Sequence, residues 1–114
     1  MDRPVITRFA PSPTGPLHLG HAYAAKVAHD LASQSGGKMI LRIDDIDHTR
    51  CRDIYTAQIF NDLDWLGLNW YGSAIDRQPG RNAPRQSQRM TAYQAALKTL
   101  QGKGLVYPCY LSRR

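Results

Sequence analysis

Arg8-Phe9-Ala10-Pro11-Ser12-Pro13-Thr14-Gly15-Pro16-Leu17-His18-Leu19-Gly20-His21 is the stretch in which an extended run gives way to a helical one. Upstream, residues 5–10 are short, partly β-branched and bounded by proline on both sides, which predicts a buried strand entering a rigid turn. Downstream, Leu19, Ala22, Tyr23, Val27 and Leu31 recur at helical spacing. A helix is predicted over 17–35 with that row as its apolar face, stopped by Gly36-Gly37. Residues 38–43 then supply Met39, Ile40, Leu41 and Ile43 for a second strand. Strand, helix, strand makes a β-α-β unit, whose parallel strands require a right-handed helical crossover. The fold class is α/β.

Further along, 44–52 is polar and reads as a loop, and Tyr55, Ile59, Leu63 and Leu66 mark one face of a helix ending at Gly67. Leu68-Asn69-Trp70 reads as a short strand. Residues 72–84, rich in Gly, Pro, Asn and Arg, read as an exposed connection and not a linker between domains, because neither side is large enough for its own core. Ser87 is a candidate N-cap for a helix with Met90, Tyr93, Leu97 and Leu100 on one side, closed by Gly102 and Gly104 before an extended 105–110. Trp65, Trp70, Tyr55 and Phe60 fall within the apolar pattern and are expected in the core, not stacked on bases.

The chain has 114 residues, 42% hydrophobic and 21% charged, as a folded domain has. No apolar run reaches the length of a membrane span or a signal peptide, so a cytoplasmic monomer is expected. Cys51 and Cys109 are too few for a disulfide framework and suit a reducing compartment. The net charge of +6 is uneven: residues 1–76 hold seven Lys/Arg against nine Asp, and 77–114 hold eight Lys/Arg and no acid. Such a segment attracts a polyanion, with RNA the natural candidate, or serves as a solvated face that maintains solubility.

The chemistry concentrates at the first strand-to-helix junction. In open α/β sheets ligands sit beyond the carboxyl ends of the strands, where a helix N-terminus offers free N–H groups to phosphate. His18 and His21 are placed to donate imidazole N–H bonds to charge developing on a phosphate, a task that needs no covalent intermediate. Gly20 between them lets a flat base or ribose approach the backbone. Read without the histidines, Arg8 is better taken as a surface charge at a strand end, and Asp44, Asp45 and Asp47 as a solvated loop that caps a helix. Mg²⁺ suits hard oxygen ligands but usually rides on substrate phosphates, so no protein metal site is expected at those acids. His29 and His48 read as surface or capping residues.

His18-Leu19-Gly20-His21 resembles the His-Ile-Gly-His signature of class I aminoacyl-tRNA synthetases. The preceding Arg-Phe-Ala-Pro-Ser-Pro-Thr-Gly and the later Leu41-Arg42-Ile43-Asp44-Asp45-Ile46-Asp47-x-x-Arg50 resemble the paired motifs of the glutamate branch, which reads Arg-Ile-Glu-Asp-Thr/Ile-Asp-x-x-Arg. Within that branch, Gly20-His21-Ala22-Tyr23, Ala28-His29-Asp30, Ile46 and Arg85-Gln86-Ser87-Gln88-Arg89 are similar to the glutamyl-queuosine tRNA(Asp) synthetases.

This resemblance, from Thr7 to about Tyr110, implies the N-terminal half of a Rossmann-type catalytic domain over 1–71. It also implies a basic connection, a helix and the start of an inserted subdomain over 72–114. It implies ATP-dependent activation of glutamate to glutamyl-adenylate, with Mg²⁺ carried on the ATP, and transfer to queuosine of tRNA(Asp). His18 and His21 take the catalytic positions, and Pro11, His18, Gly20 and His21 the ATP site. Arg8, Ala10, Ser12 and Asp44 match the glutamate pocket, where Arg8 suits a carboxylate through its fork of donors. Asp44 stands where the family has a Glu that holds the substrate's ammonium group, about 1.5 Å short, one C–C bond. Many relatives bind structural zinc through a Cys-x-Cys that here reads Cys109-Tyr110-Leu111, which leaves one ligand where about four are needed, so zinc is not expected. Nothing in residues 1–114 resembles the family's mobile Lys-Met-Ser-Lys-Ser loop, so a truncated form with reduced or absent activity is expected. A fragment of a glutamate–tRNA ligase and a non-catalytic RNA-binding module are the rival readings.

Overall fold

The computed structural model of the chain describes residues 3–113. Strand β1 (Ile6–Phe9), helix α1 (Leu19–Gln34) and strand β2 (Lys38–Leu41) form the expected unit, with Ile6 opposite Lys38 and Phe9 opposite Leu41 in a parallel pair. Alternation along the strands decides what is buried. Phe9, Met39, Leu41 and Ile43 join one buried cluster with Ala25 of α1 and with Ile59 and Leu63 of helix α2 (Asp53–Trp65). Thr7 turns the same way, its hydroxyl donating to the Ala28 carbonyl at 2.7 Å. The intervening positions Ile6, Arg8, Ala10, Ile40, Arg42 and Asp44 therefore share the opposite face of the sheet. That face is left open, and Ile6 on it is 57% exposed.

Helix α1 buries a different face from the one predicted. Ala25 and Ala32 are fully enclosed and Ala28 packs against the core, whereas Leu19 and Tyr23 are 86% and 72% exposed, and Val27 and Leu31 are exposed as well. The Thr7 bond to Ala28 shows why. A helix close enough for a strand hydroxyl to reach its backbone has room only for alanine-sized side chains at the contact.

Helix α2 buries Thr56, Ile59 and Leu63 as its period requires. Trp65 does not join them and is 85% exposed, against expectation. At about 100° per residue it lies roughly 200° round the helix from Leu63, away from the core. Trp70 is buried, with Phe60 stacked on it at a centroid distance of 5.4 Å.

No strand ladder forms at residues 68–70. The far edge of β2 is instead completed by two isolated parallel bridges, at Tyr71 and Arg85. Leu41 N–H donates to the Tyr71 carbonyl and Tyr71 N–H to the Met39 carbonyl, both at 2.9 Å. Ile43 N–H donates to Pro84 O at 2.9 Å and Gln86 N–H to Ile43 O at 3.0 Å. The exposed connection between these bridges is anchored by Asp76, whose carboxylate accepts from Gly72 N–H, Ser73 N–H and the Ser73 hydroxyl.

A 3-10 turn (Gln86–Arg89) leads into helix α3 (Met90–Gly102). Ser87 lies inside that turn and is not the N-cap; the N-cap is Arg89, with no side-chain bond. Helix α3 buries no residue, so Met90, Leu97 and Leu100 are exposed and only Tyr93 of the predicted apolar side is half-buried. Residues 105–110 are irregular and exposed. Among the described residues, no helix is long and apolar enough to cross a membrane.

Candidate active site

The start of α1 is closed by two histidines in a reciprocal cap. His18, the N-cap, has extended backbone and accepts at Nδ1 from Gly20 N–H at 3.1 Å, while His21 Nδ1 accepts from His18 N–H at 3.1 Å. Two of the N–H groups that a helix start leaves unpaired are satisfied in this way. A ring that accepts at Nδ1 carries its neutral-form proton at Nε2, so both imidazoles offer an Nε2–H donor. Their centroids are 3.8 Å apart. Burial, and then the neighbouring His18, lower the His21 pKa and favour its neutral, donor form. Gly20 has a local role beyond backbone access: a Cβ there would stand 2.9 Å from His18 Cε1, inside the capping ring's own space.

The loops that follow the two strands are joined through their backbones. Asp44 N–H donates to Pro11 O at 3.0 Å and Arg52 N–H to Pro13 O at 3.1 Å, and both prolines are buried. Arg8 and Ala10 share their sheet face with Asp44, Arg8 exposed and Ala10 half-buried. Ser12 is exposed beside the buried prolines. The predicted residues thus gather at the carboxyl ends of β1 and β2, in two groups. Pro11, His18, Gly20 and His21 stand on the loop and helix start, and Arg8, Ala10 and Asp44 on the open sheet face. The backbone bond from Asp44 N–H to Pro11 O links the two groups, and no side-chain hydrogen bond or ion pair joins them among the described residues.

The three aspartates diverge. Asp44 is held by Arg42, with Nε to Oδ1 at 2.8 Å and Nη2 to Oδ2 at 3.1 Å. Asp45 accepts from the N–H and the hydroxyl of Ser87, and Arg85 stands 3.9 Å away. Asp47 accepts from Thr49 N–H and Oγ1 and from Arg50 Nε, which hold its carboxyl down at about 2. Each acid is committed to a different partner, so the three do not fit a shared Mg²⁺. No group of three His, Cys or acidic side chains among the described residues is placed to hold a metal.

Residues 4–114 match the family described as tRNA synthetases class I (E and Q), catalytic domain. The chain belongs to this family. It is 52% identical over 110 residues to the glutamyl-Q tRNA(Asp) synthetase of Rhodobacter capsulatus, covering 96% of this chain and 36% of that protein. Glutamate–tRNA ligase 1 of Neorickettsia sennetsu is 45% identical, over 93% of this chain and 22% of that one. The crystal structure of a glutamate tRNA ligase from Elizabethkingia meningosepticum in complex with its amino acid has a TM-score of 0.71 at 34% identity, covering 88% of this chain and 20% of that one. The chain spans about a third of the length of the first of these relatives and about a fifth of the ligases.

In this class I synthetase segment one cleft opens away from the signature histidines. That cleft, about 560 Å³ among the described residues, runs between Gly72–Asp76 and Arg81–Gln88. Its charges are already engaged, Asp76 by Gly72 and Ser73, Arg81 by Gln78, and Arg85 by Asp45 and Asp53. The opening beside His18, about 270 Å³, is bordered by Leu17, Leu19, Ala22 and Trp65. Two arrangements here escaped the sequence reading. The Arg42–Asp44 pair carries a signal, since residues two apart on a strand share a face. The Asp45–Ser87 contact has none, because nothing local brings those segments together.

Proposed function

We propose that the chain holds ATP and glutamate for the formation of glutamyl-adenylate, and that the acceptor of the glutamyl group is queuosine in tRNA(Asp). The reciprocal histidine cap carries this reading. It sets two Nε2–H donors beside one another at a helix N-terminus, the arrangement that a phosphate under in-line attack requires. One oxygen of the glutamate α-carboxylate attacks the α-phosphorus, the bond to the leaving pyrophosphate breaks, and the two imidazoles stabilise the charge that develops. Pro11 and Gly20 border the nucleotide, which brings its own Mg²⁺. Arg8 grips the side-chain carboxylate of glutamate, with Ala10, Ser12 and Asp44 forming the rest of that pocket.

The queuosine acceptor is supported by the glutamyl-Q tRNA(Asp) synthetase names of relatives 52% and 46% identical, and by the motif variants at residues 20–23 and 85–89. The acid-free segment from Arg77 onward, largely exposed, suits an RNA partner. Because no Lys-Met-Ser-Lys-Ser loop occurs in residues 1–114, the isolated chain binds both substrates weakly and turns them over little or not at all.

Titration of the chain with ATP and with glutamate, followed by amide NMR, tests this. Binding of both, with ATP binding lost in His18→Ala/His21→Ala, is the expected result, and ATP–pyrophosphate exchange stays near background. Salt-sensitive RNA binding that survives the double substitution, with no ATP binding, overturns it in favour of a non-catalytic RNA module. A preference for tRNA(Glu) over queuosine-bearing tRNA(Asp) points instead to a glutamate–tRNA ligase segment.

A further inference from the structure

Asp44 does not stand free at the end of β2. Both of its carboxylate oxygens are taken by the guanidinium fork of Arg42, which lies two residues back on the same sheet face. The two side chains are 29% and 31% exposed, so the pair is partly shielded from water and not a loose surface contact. Bidentate pairing of this kind is the strong, geometrically specific form of the arginine–carboxylate interaction.

Two effects of that fork on a substrate ammonium group oppose each other. Holding the carboxylate in one rotamer favours binding, but a short aspartate has only two side-chain torsions to freeze. Placing a full positive charge 2.8 Å from the acid works against binding, because the ammonium then meets a compact dipole in place of a net anion. Charge cancellation is the larger effect. Length compounds it: a Glu at this position could carry its carboxylate about 1.5 Å past the guanidinium, whereas Asp44 sits back against it. The outer lone pairs of Asp44 remain open to a bridging water.

We propose that Arg42 is a specificity-determining residue, which masks Asp44 so that the pocket recognises the dicarboxylate frame of its substrate much more than the α-amino group. This rests on the reading of Arg8, Ala10, Ser12 and Asp44 as a glutamate pocket. The ligand class that distinguishes it is the five-carbon dicarboxylate with or without an amino group.

L-Glutamate and glutarate, which lacks the amino group, are titrated separately into the full chain by amide NMR. Arg42→Gln unmasks Asp44 and raises the preference for glutamate over glutarate by about fivefold or more. Arg42→Gln combined with Asp44→Asn leaves the net charge unchanged and keeps that preference within about twofold of the parent. The inference is overturned if the double substitution lowers the preference tenfold, which makes Asp44 a direct ammonium ligand, or if Arg42→Gln fails to raise it. In either case the glutamate reading stands, provided that Arg8→Gln still weakens both compounds. If the parent chain binds neither compound, or Arg8→Gln changes neither, the glutamate reading falls and takes this inference with it. A second readout needs no substitution: the Arg42 Nε–H resonance keeps its carboxylate-bonded position at saturating glutamate, and release of that proton on binding overturns the masking.

Discussion

Ser87 donates both its backbone N–H, at 2.9 Å, and its hydroxyl, at 2.7 Å, to the carboxylate of Asp45. The bond spans the chain from the loop after β2 to the 3-10 turn before α3. Together with the Arg85 bridge to Ile43, it is what fastens α3, a helix with no buried residue of its own, to the rest of the fold. The Asp45 side chain is 10% exposed, while its partner Ser87 is exposed, so the acid is the shielded member of the pair.

Asp45→Ala therefore destabilises the chain by about 2 kcal/mol, the range for hydrogen bonds to a charged group. Ser87→Ala removes only the hydroxyl bond and costs about 1 kcal/mol. The two are coupled, so the double variant falls short of the sum. Urea unfolding measures the losses. Hydrogen exchange locates them: protection should drop across residues 90–102 while the β1 and β2 amides keep theirs.

Replacing glycine within a helix by alanine ordinarily stabilises it by about 1 kcal/mol. Gly20→Ala is expected to give no such gain. Its Cβ would meet His18 Cε1 at 2.9 Å and Nδ1 at 3.1 Å, so the ring must leave the cap it makes with Gly20 N–H. A lost N-cap costs about 1 kcal/mol, which cancels the propensity gain. If the proposed function is right, displacing the ring also moves its Nε2–H, so ATP affinity is expected to fall although the substituted residue carries no polar group. An unchanged melting temperature with weakened ATP binding is the expected pair of results; a more stable variant that binds ATP normally refutes the steric argument.

The same cap makes stability depend on pH. Burial, and then the nearby His18, lower the His21 pKa below its ordinary 6.5, so the folded chain holds that proton less readily than the unfolded one. The contribution of neutral His21 is thus complete above 6.5 and is lost as pH falls through its lower folded value. Protonation at Nδ1 also ends its acceptance of the His18 N–H bond. His21→Gln tests this, because glutamine at the third helical position can make the reciprocal cap without titrating. Its loss of stability between pH 7 and 5 should be smaller than the parent's; parallel profiles would remove His21 from the account. Asp47 does not contribute in that window, since its stabilised carboxylate persists until pH nears its folded value of about 2.

The β-α-β unit, the second helix and the clustering of the two motifs were legible because each depends on local spacing and strand-end placement. The buried side of α1 was not. Leu19, Tyr23, Val27 and Leu31 form the larger apolar stripe by letters, yet the sheet accepts Ala25, Ala28 and Ala32, because closeness and not hydrophobicity governs that contact. Trp65 shows the same limit, since an apolar residue in a helical pattern is buried only if its angle matches. In the site, the residue types at 8, 18, 21 and 44 could be read from motifs, but the partners of the acids could not. Arg42 and Ser87 reach Asp44 and Asp45 only once the strands and the 3-10 turn are assembled.

The glycine pair at the end of α1 provides the last test, because its two members resemble each other in sequence and differ in space. Gly36 has φ 71° and nothing within 4 Å of where a Cβ would stand, so its demand is conformational alone. Gly36→Asn, which tolerates the left-handed region, should therefore be nearly neutral, and Gly36→Ala should cost about 1 kcal/mol. Gly37 is different: a Cβ would lie 1.8 Å from the Val5 carbonyl oxygen, at the point where β2 enters alongside β1 and Lys38 N–H bonds that same oxygen. Gly37→Ala must push the strands apart at their first shared bond, which places it at or above the upper end of the about 1–3 kcal/mol typical of overpacking. Thermal unfolding of the three variants should rank Gly37→Ala as the least stable by a clear margin. If Gly36→Ala proves equally damaging, conformation and not the close approach of Val5 sets the requirement for glycine at this turn.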